Sequence, residues 1–195
     1  MPRDASPAEI RAFFAAERMT VLTFFGYSGA GYEDPAAMRR EASRVLDGAD
    51  PGTTIVNIGV TAEGIGEVYE IAKRMGFRTT GIVSTQARDQ HVALSPAVDT
   101  VFFVQDATWG GFLPGTTELS PTSQAMVENS DVLVAIGGGD VVRDELTAAQ
   151  RLGKNSIFVP ADMNHAAAQT RAARKGQPAP NFAGSAASLF ATTGR

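Results

Sequence analysis

The sequence predicts a single α/β domain with a three-layer, doubly wound Rossmann-like fold and a mainly parallel sheet of about six strands. Short, almost wholly apolar runs alternate with longer helical segments along the chain. Such runs are typical of strands buried on both faces of a parallel sheet. Several of them lead directly into glycine-rich loops. A length of 195 residues is enough for one substantial core, so we expect one domain that spans 1–195.

The first element is predicted to be a helix from Ser6 to Arg18. Ser6 is a suitable N-cap, Pro7 occupies the first helical position, and Glu9 completes a capping box. The later elements alternate, as right-handed crossovers between parallel strands require. The predicted strands are 21–25, 54–58, 79–84, 100–104, 132–136 and 156–159, and the other predicted helices are 35–46, 67–75, 121–129 and 141–152.

Two segments do not follow this alternation. The stretch 105–122 is long and glycine-rich, and it contains the only tryptophan, Trp109. Loops of this length usually have a function or are disordered. Trp109 and Phe112 either stack on a bound base or anchor the loop to the domain. The tail 176–195 is expected to pack as an irregular arm or to be partly mobile.

Composition excludes several classes of function. The formal net charge is −4 and the pI is about 5.2, so no overall positive field attracts nucleic acid or an anionic membrane. The chain has no cysteine, and His91 and His165 are interpreted as surface or capping groups, so we expect no metal site. No run reaches the roughly 20 apolar residues of a membrane span, and the first residues lack a signal-peptide pattern. These features predict a cytoplasmic protein.

The most specific local pattern is AIGGGDVVRDEL, residues 135–146, in which a buried strand leads through three glycines into an amphipathic helix. Glycines allow a ligand to approach the main chain, and the first N–H groups of a helix attract anions, so the pattern predicts a phosphate-binding loop. The alternative is a tight turn in which Asp140 is an ordinary N-cap. A bulky residue in place of Gly138 is expected to abolish binding with little loss of folding. The predicted ligand-binding residues of this loop are Gly137, Gly138, Gly139, Asp140 and Val141.

Two further glycine loops, GYSGAG at 26–31 and GVTAEGIG at 59–66, follow the first two predicted strands. Loops at the carboxyl ends of parallel strands meet at one edge of the sheet, where ligands bind. The pattern G-x-G-x-x-G is absent and no acidic residue ends the strand 54–58, so a nicotinamide dehydrogenase is disfavoured. The expected ligand is a nucleotide or another phosphorylated small molecule, with no cofactor assigned. Its predicted contacts in these loops are Gly26, Ser28, Gly29, Gly59 and Thr61.

The segments FFGYSGAGYEDP, IVNIGVTAEGIGEVYEIAKRMGFRTTGIV and ENSDVLVAIGGGDVVRDELTAAQRLGKNSIFVP together resemble the lysine-decarboxylase-like proteins of the LOG group. The resemblance covers about residues 20–160. It extends to the wider superfamily, which includes molybdenum-cofactor carrier proteins, the DNA-processing protein A domain and nucleotide-sensing domains. This resemblance implies a Rossmann-like fold, a nucleotide site and a homodimer.

LOG enzymes carry a P-G-G-x-G-T-x-x-E signature that binds phosphate. Its glutamate acts with an upstream arginine to split the N-glycosidic bond of nucleoside monophosphates. The resemblance implies the same roles for the residues of this chain that match the signature. The two glycines match Gly138 and Gly139, and the glutamate matches Glu145, which becomes the candidate catalytic residue. Gly137 replaces the proline, and two valines replace the glycine-threonine pair. The helix 121–129 has no arginine or lysine where the family carries them.

Glu145 also has a purely structural interpretation, as a solvated first-turn carboxylate that the helix dipole favours. Arg143 lies two positions away on the same helix, so the two side chains are expected to face apart. The leading hypothesis is therefore a nucleotide-binding or phosphate-ligand-binding protein, a sensor or carrier, with weak or absent hydrolase activity. The alternative is a nucleoside 5′-monophosphate phosphoribohydrolase that uses Glu145. A carrier of a pterin-type cofactor is compatible with the same fold.

Overall fold

The computed structural model describes residues 2–178 and 180–191. The strands are β1 (Pro2–Asp4), β2 (Thr20–Gly26), β3 (Thr54–Ile58), β4 (Arg78–Ser84), β5 (Thr100–Val104), β6 (Val132–Ile136) and β7 (Asn155–Val159). The helices are α1 (Pro7–Glu17), α2 (Pro35–Asp47), α3 (Val68–Arg74), α4 (Gln86–Asp89), α5 (Pro121–Glu128), α6 (Asp140–Arg151) and α7 (His165–Arg174). Single 3₁₀ turns cover Gly64–Glu67 and Ser185–Leu189.

All seven strands described form one parallel sheet in the order β1-β5-β4-β3-β2-β6-β7, which confirms the predicted fold class. The six predicted strands are all present. β1 was not predicted because its three residues are polar or proline and all exposed, so no apolar run marks it. It pairs only with β5, at the edge of the sheet, where a proline without an N–H donor is tolerated.

Helices cover both faces of the sheet, as the three-layer prediction requires. α1, α5 and α6 pack on one face, where Phe14, Met126 and Leu146 meet strand residues such as Phe25. α2 and α3 pack on the other face, around Phe24. Adjacent residues of β2 thus enter opposite cores, as the period of two in a strand dictates.

Most predicted helix boundaries are correct to within a residue or two. The capping box of α1 is confirmed, because the Glu9 N–H donates to Ser6 Oγ while the Ser6 N–H donates to the Glu9 carboxylate. The helix predicted from residue 67 begins as a 3₁₀ turn, and α3 itself starts at Val68. None of the described helices has the length and apolar character needed to cross a bilayer.

Residues 180–191 of the C-terminal tail pack against the domain as an irregular arm with one 3₁₀ turn. Ala186 is fully buried, and its N–H donates to the Gly138 carbonyl at 3.1 Å. The Phe190 ring stacks on Phe158 with centroids 4.6 Å apart. Small residues of this segment fit closely against α6. Ala179 and residues 192–195 of the predicted tail lie outside the described residues.

Candidate functional site

The order of the strands places a switch point beside β2. The chain runs from β2 through β3 and β4 to β5 in one direction, and then crosses to β6 on the other side of β2. In doubly wound sheets, ligands bind in the crevice outside the carboxyl ends of the strands at such a point. The glycine loops after β2, β3 and β6 all lie at this edge because the three strands are parallel. Their predicted convergence is confirmed.

The loops after β2 and β3 touch each other directly. The Ile65 N–H donates to the Tyr27 carbonyl at 2.8 Å. Gly64 has φ +61° and lies so close to the Tyr27 and Ser28 carbonyls that a Cβ atom has no room. Glycine is therefore required at Gly64 for packing between the two loops, and this side of the edge is preorganised without a ligand.

A buried tyrosine joins the loop after β2 to β6. The Tyr32 hydroxyl donates to the Ile136 carbonyl at 2.9 Å and accepts from the Tyr27 N–H at 3.2 Å. Burial raises the pKa of Tyr32 well above its ordinary value, so the hydroxyl stays protonated and keeps its donor role. The same hydroxyl fills the space next to Gly26. The predicted ligand contact Gly26 is thus a glycine that makes room for Tyr32.

The three successive glycines after β6 have different roles. Gly137 has φ +60° and packs against the Tyr27 ring and the Ala161 carbonyl. Gly138 has φ +139°, and a Cβ atom there would lie 2.6 Å from Val142 Cβ. Gly139 has an ordinary extended conformation with φ −90°, and a Cβ atom there would meet nothing within 4 Å. Two of the glycines therefore serve packing, and Gly139 faces open space.

Gly138→Ala is expected to lower the free energy of unfolding by about 2–5 kcal/mol, because it adds a strained positive φ to a steric overlap with Val142. Urea unfolding followed by circular dichroism measures this loss. The matched control is Gly139→Ala, which we expect to cost less than about 1 kcal/mol at an open N-cap position. Equal losses in the two variants would contradict this account. The expectation that Gly138 tolerates a bulky residue with little loss of folding does not fit this geometry, because the glycine is buried.

The start of α6 has no side-chain cap. Its N-cap is Gly139, and Asp140 is already the first helical residue, so the alternative of Asp140 as the N-cap is wrong. Asp140 Oδ1 instead accepts from Ser185 Oγ at 2.7 Å and from Arg143 Nη1 at 2.9 Å. The first N–H groups of a helix lack intrahelical acceptors and carry the positive end of its dipole. This helix start can therefore receive an anion.

The predicted contacts differ in how accessible they are. Ser28, Gly29, Gly59 and Asp140 are exposed, whereas Gly137 and Gly138 are buried. The Thr61 hydroxyl is engaged in its own turn, since it donates to the Glu63 carbonyl at 3.2 Å. Gly26, Thr61, Gly139 and Val141 are partly exposed.

Glu145 is buried, with 4% of its surface exposed. It lies in the second turn of α6, so the interpretation as a solvated first-turn carboxylate is wrong. Ser123 Oγ of α5 donates to Glu145 Oε1 at 2.7 Å, and the Gly111 N–H donates to the same hydroxyl at 2.7 Å. Burial raises the pKa of Glu145 to about 8, which keeps the carboxyl protonated at neutral pH. Ser123 was missed by sequence reasoning because a helical serine forms no pattern of its own.

The long loop after β5 is held down by carboxylates. Asp144 Oδ2 accepts from the Phe112 N–H at 2.9 Å, and the two carboxylate oxygens of Asp106 accept from the Thr108 and Thr122 N–H groups. The Phe112 ring lies under the Arg151 guanidinium, 5.7 Å away. The loop is thus ordered, with Phe112 as an anchor.

Two surface clefts lie away from these glycines. One, of about 520 Å³, lies between α2 and α3 and is lined by four arginines. The other, of about 360 Å³, lies beside the first turn of α1. In the arginine cleft, Arg39 pairs with Glu67 at 2.7 Å and Arg44 pairs with Glu41 at 2.8 Å, so much of the positive charge is balanced.

The histidines do not build a metal centre. Over residues 2–178 and 180–191, no group of three or more histidine or carboxylate side chains is arranged to hold a metal ion. His165 Nε2 lies 3.1 Å from Asp162 Oδ2, and the His165 N–H donates to Glu33 Oε2 at 2.8 Å. Its ring stacks on Phe182, with centroids 4.0 Å apart. His165 therefore connects the start of α7 with the tail and the loop after β2.

The strand order defines a doubly wound, Rossmann-like protein with glycine-rich loops at the carboxyl edge of its sheet. No protein-family model and no curated protein matches the chain by sequence. A molybdenum-cofactor carrier protein from Chlamydomonas reinhardtii has a similar structure, with a TM-score of 0.52 and 19% identity over 89% of this chain and 96% of that one.

Two further solved structures are similar. The molybdenum cofactor binding protein from the phototrophic bacterium Rippkaea orientalis gives a TM-score of 0.52 and 18% identity over 82% of this chain and 86% of that one. A structural-genomics protein designated TM1055 gives a TM-score of 0.51 and 22% identity over 71% and 72% of the two chains. At these identities the similarity shows the fold alone. The Rossmann-like fold that the sequence resemblance implied is thus confirmed.

Proposed function

We propose that this protein binds a phosphate-bearing small molecule, a nucleotide or nucleotide-like cofactor, and acts as a sensor or carrier of it. The observation that carries this proposal is the start of α6, which has no side-chain cap. It follows Gly139 and lies at the switch point of the sheet. Gly139 faces open space, so a phosphate group can approach the helix N–H groups closely.

Neighbouring groups support the same site. Ser28, Gly29 and Gly59 are exposed on the adjacent loops and offer hydroxyl and main-chain contacts. Arg143 balances the charge of Asp140 and is partly exposed, so its guanidinium can turn towards an incoming phosphate. The similar proteins described as molybdenum-cofactor carriers or binders favour a carrier role, with a phosphorylated pterin as one ligand class.

The cellular setting is part of the proposal. The absence of cysteine favours the cytoplasm, and the families that the sequence resembles commonly form homodimers. The low net charge density and acidic pI favour a small-molecule partner over nucleic acid.

A thermal-shift panel tests binding, with inorganic phosphate, pyrophosphate, AMP, GMP and neopterin monophosphate as probes. A ligand at 100 times its Kd stabilises the folded state by about 2.7 kcal/mol. For a chain of this size we expect a rise in Tm of about 5–10 °C for the best probe. If no phosphate compound raises the Tm at millimolar concentration, the proposal is wrong.

The alternative function is a phosphoribohydrolase in which Glu145 acts on the glycosidic bond. The raised pKa of Glu145 favours it, because a carboxyl that stays protonated at neutral pH suits a general acid. Gly110 lies against this carboxyl, however, and Glu145 is buried, so the loop has to move before a substrate can reach it. Stabilisation by AMP without release of adenine supports the binding function, and adenine release that Glu145→Gln removes supports the enzyme.

Any such turnover is expected to be slow. The positions that carry arginine or lysine in the enzymes have no counterpart in α5, and losing a well-placed electrostatic group costs on the order of 100- to 1000-fold in rate. Chromatographic assay of free base measures it. Rapid turnover by the unmodified protein would contradict the binding role, and undiminished activity in Glu145→Gln would remove Glu145 from the chemistry.

A further inference from the structure

The loop 105–120, here called the tryptophan loop, is fixed on its inner side. Asp106 holds its first residues through the Thr108 N–H at 2.8 Å. Ser123 accepts from the Gly111 N–H at 2.7 Å, and Asp144 accepts from the Phe112 N–H at 2.9 Å. Asp106 also accepts from the Thr122 N–H of α5 at 2.9 Å, so the backbone is held on both sides of Trp109.

Two glycines bring this loop against the candidate phosphate site. Gly110 and Gly111 have φ +118° and +83°, which other residues rarely adopt. A Cβ atom at Gly110 would lie 2.8 Å from Ser123 Oγ and 3.1 Å from Val141 Cγ1. Val141 is the second residue of α6. Trp109 therefore precedes a turn that is packed directly on the helix start where a phosphate group is proposed to bind.

The side chain of Trp109 leaves much of its surface open to solvent. It is 46% exposed, whereas Phe112, three residues later, lies under Arg151 and anchors the loop. An exposed indole on an immobilised loop loses little conformational freedom when a flat ring stacks on it, so most of the stacking energy is available for binding. Aromatic side chains bind bases in this way without regard to their sequence or substituents.

We infer that Trp109 forms a stacking subsite for the planar heteroaromatic ring of a ligand whose phosphate group lies at the start of α6. This inference rests on the proposed function and narrows its ligand class to ring-bearing phosphates, such as a purine nucleotide or a pterin phosphate. Simple phosphates and sugar phosphates then bind only through the helix start. Trp109 thereby makes the site bind phosphates that carry a planar ring more tightly than phosphates that do not.

The test compares AMP, neopterin monophosphate, ribose 5-phosphate and adenosine by calorimetry. Because Trp109 is the only tryptophan, the intrinsic fluorescence of the unmodified protein reports directly on a ring placed against it. We expect AMP to quench this fluorescence and ribose 5-phosphate to bind without quenching. Trp109→Ala should weaken AMP binding about 5- to 140-fold, which is the range of 1–3 kcal/mol for loss of one stacked base. The affinity for ribose 5-phosphate should not change.

Two variants serve as controls. Trp109→Phe keeps an aromatic face and should retain most of the affinity for AMP. Leu152→Ala removes another exposed apolar side chain, 57% exposed, at the opposite end of α6 and should have no effect. A comparison of AMP with neopterin monophosphate separates the two ring classes.

The outcomes distinguish this inference from the proposed function. Equal affinities for AMP and ribose 5-phosphate, with no effect of Trp109→Ala, overturn the stacking subsite and leave the phosphate site standing. Quenching by adenosine without binding of any phosphate compound overturns the proposed function, and with it the inference, because the ring at Trp109 would then belong to a ligand with no phosphate group at the start of α6. No binding by any probe overturns both. If Trp109→Ala changes self-association in light scattering and leaves AMP affinity unchanged, Trp109 is a contact between copies and the inference is wrong.

Discussion

Gly139→Asp is expected to lower the affinity for every phosphate compound by on the order of 100-fold or more, while folding is unchanged or slightly more stable. An aspartate at the N-cap accepts hydrogen bonds from the first N–H groups of α6, which stabilises the helix by a few tenths of a kcal/mol relative to glycine. Its carboxylate then occupies the place of the ligand. Two like charges about 4 Å apart near a protein surface repel by about 4 kcal/mol.

Gly139→Asn is the matched control, because asparagine caps a helix as well as aspartate does but carries no charge. We expect it to weaken binding by about tenfold or less, which would separate charge repulsion from occupation of the helix start. The geometry permits all three residues, since a Cβ atom at this position would meet nothing within 4 Å. Calorimetry with AMP measures the affinity and urea unfolding measures the stability. Unchanged affinity in Gly139→Asp would place the ligand elsewhere.

Glu145→Gln is expected to stabilise the protein by about 1–3 kcal/mol at pH 7. The pKa of Glu145 is about 8 in the folded state against 4.5 for the free group, because the side chain is buried. At pH 7 the unfolded chain therefore carries an ionised carboxylate that the folded state must protonate, which costs the folded state about 3 kcal/mol. Glutamine removes that cost and keeps an oxygen for the Ser123 hydroxyl, although its buried amide offsets part of the gain.

The raised pKa of Glu145 also predicts how the free energy of unfolding changes with pH. The stability associated with Glu145 is fully present below pH 4.5, declines as the pH rises, and is lost once the pH passes about 8, for a total of about 5 kcal/mol. The difference between Glu145→Gln and the unmodified protein should therefore grow by about 3 kcal/mol between pH 5 and pH 7.5. Urea unfolding at several pH values measures it.

Glu118→Gln is the control for this series, since Glu118 is an exposed carboxylate of the tryptophan loop. A constant difference between Glu145→Gln and the unmodified protein from pH 5 to pH 7.5 would show that Glu145 ionises freely in the folded state. The loop and Ser123 would then not isolate it from water.

The elements that local patterns predict are those whose identity depends on their own residues. β2, β5 and β6 are mostly apolar, β-rich runs, and α1 has a capping box, so both kinds of element can be predicted from neighbouring positions in the sequence. β1 has no such pattern. It exists because β5 offers an unpaired edge, and the sequence of three polar or proline residues does not reveal that edge.

Some features of the candidate site likewise depend on local sequence, and others depend on contacts between distant segments. The sequence by itself determined the parallel α/β fold and the set of glycine loops at one edge, because strand burial and glycine clusters are local properties. Only the tertiary structure decided which glycines are open. Gly26, Gly137 and Gly138 make room for Tyr32, Tyr27 and Val142, whereas Gly139 has no neighbour.

The tertiary structure also decided the state of Glu145 and the position of Trp109. Glu145 is buried because Gly110, Gly111 and Ser123, which lie far from it in sequence, close over α6. Burial and pKa depend on such contacts between distant segments, so no window of the sequence contains them. The physical reason is that periodicity reports which face a residue occupies, while accessibility at the edge of a sheet depends on how separate loops fill the space above it.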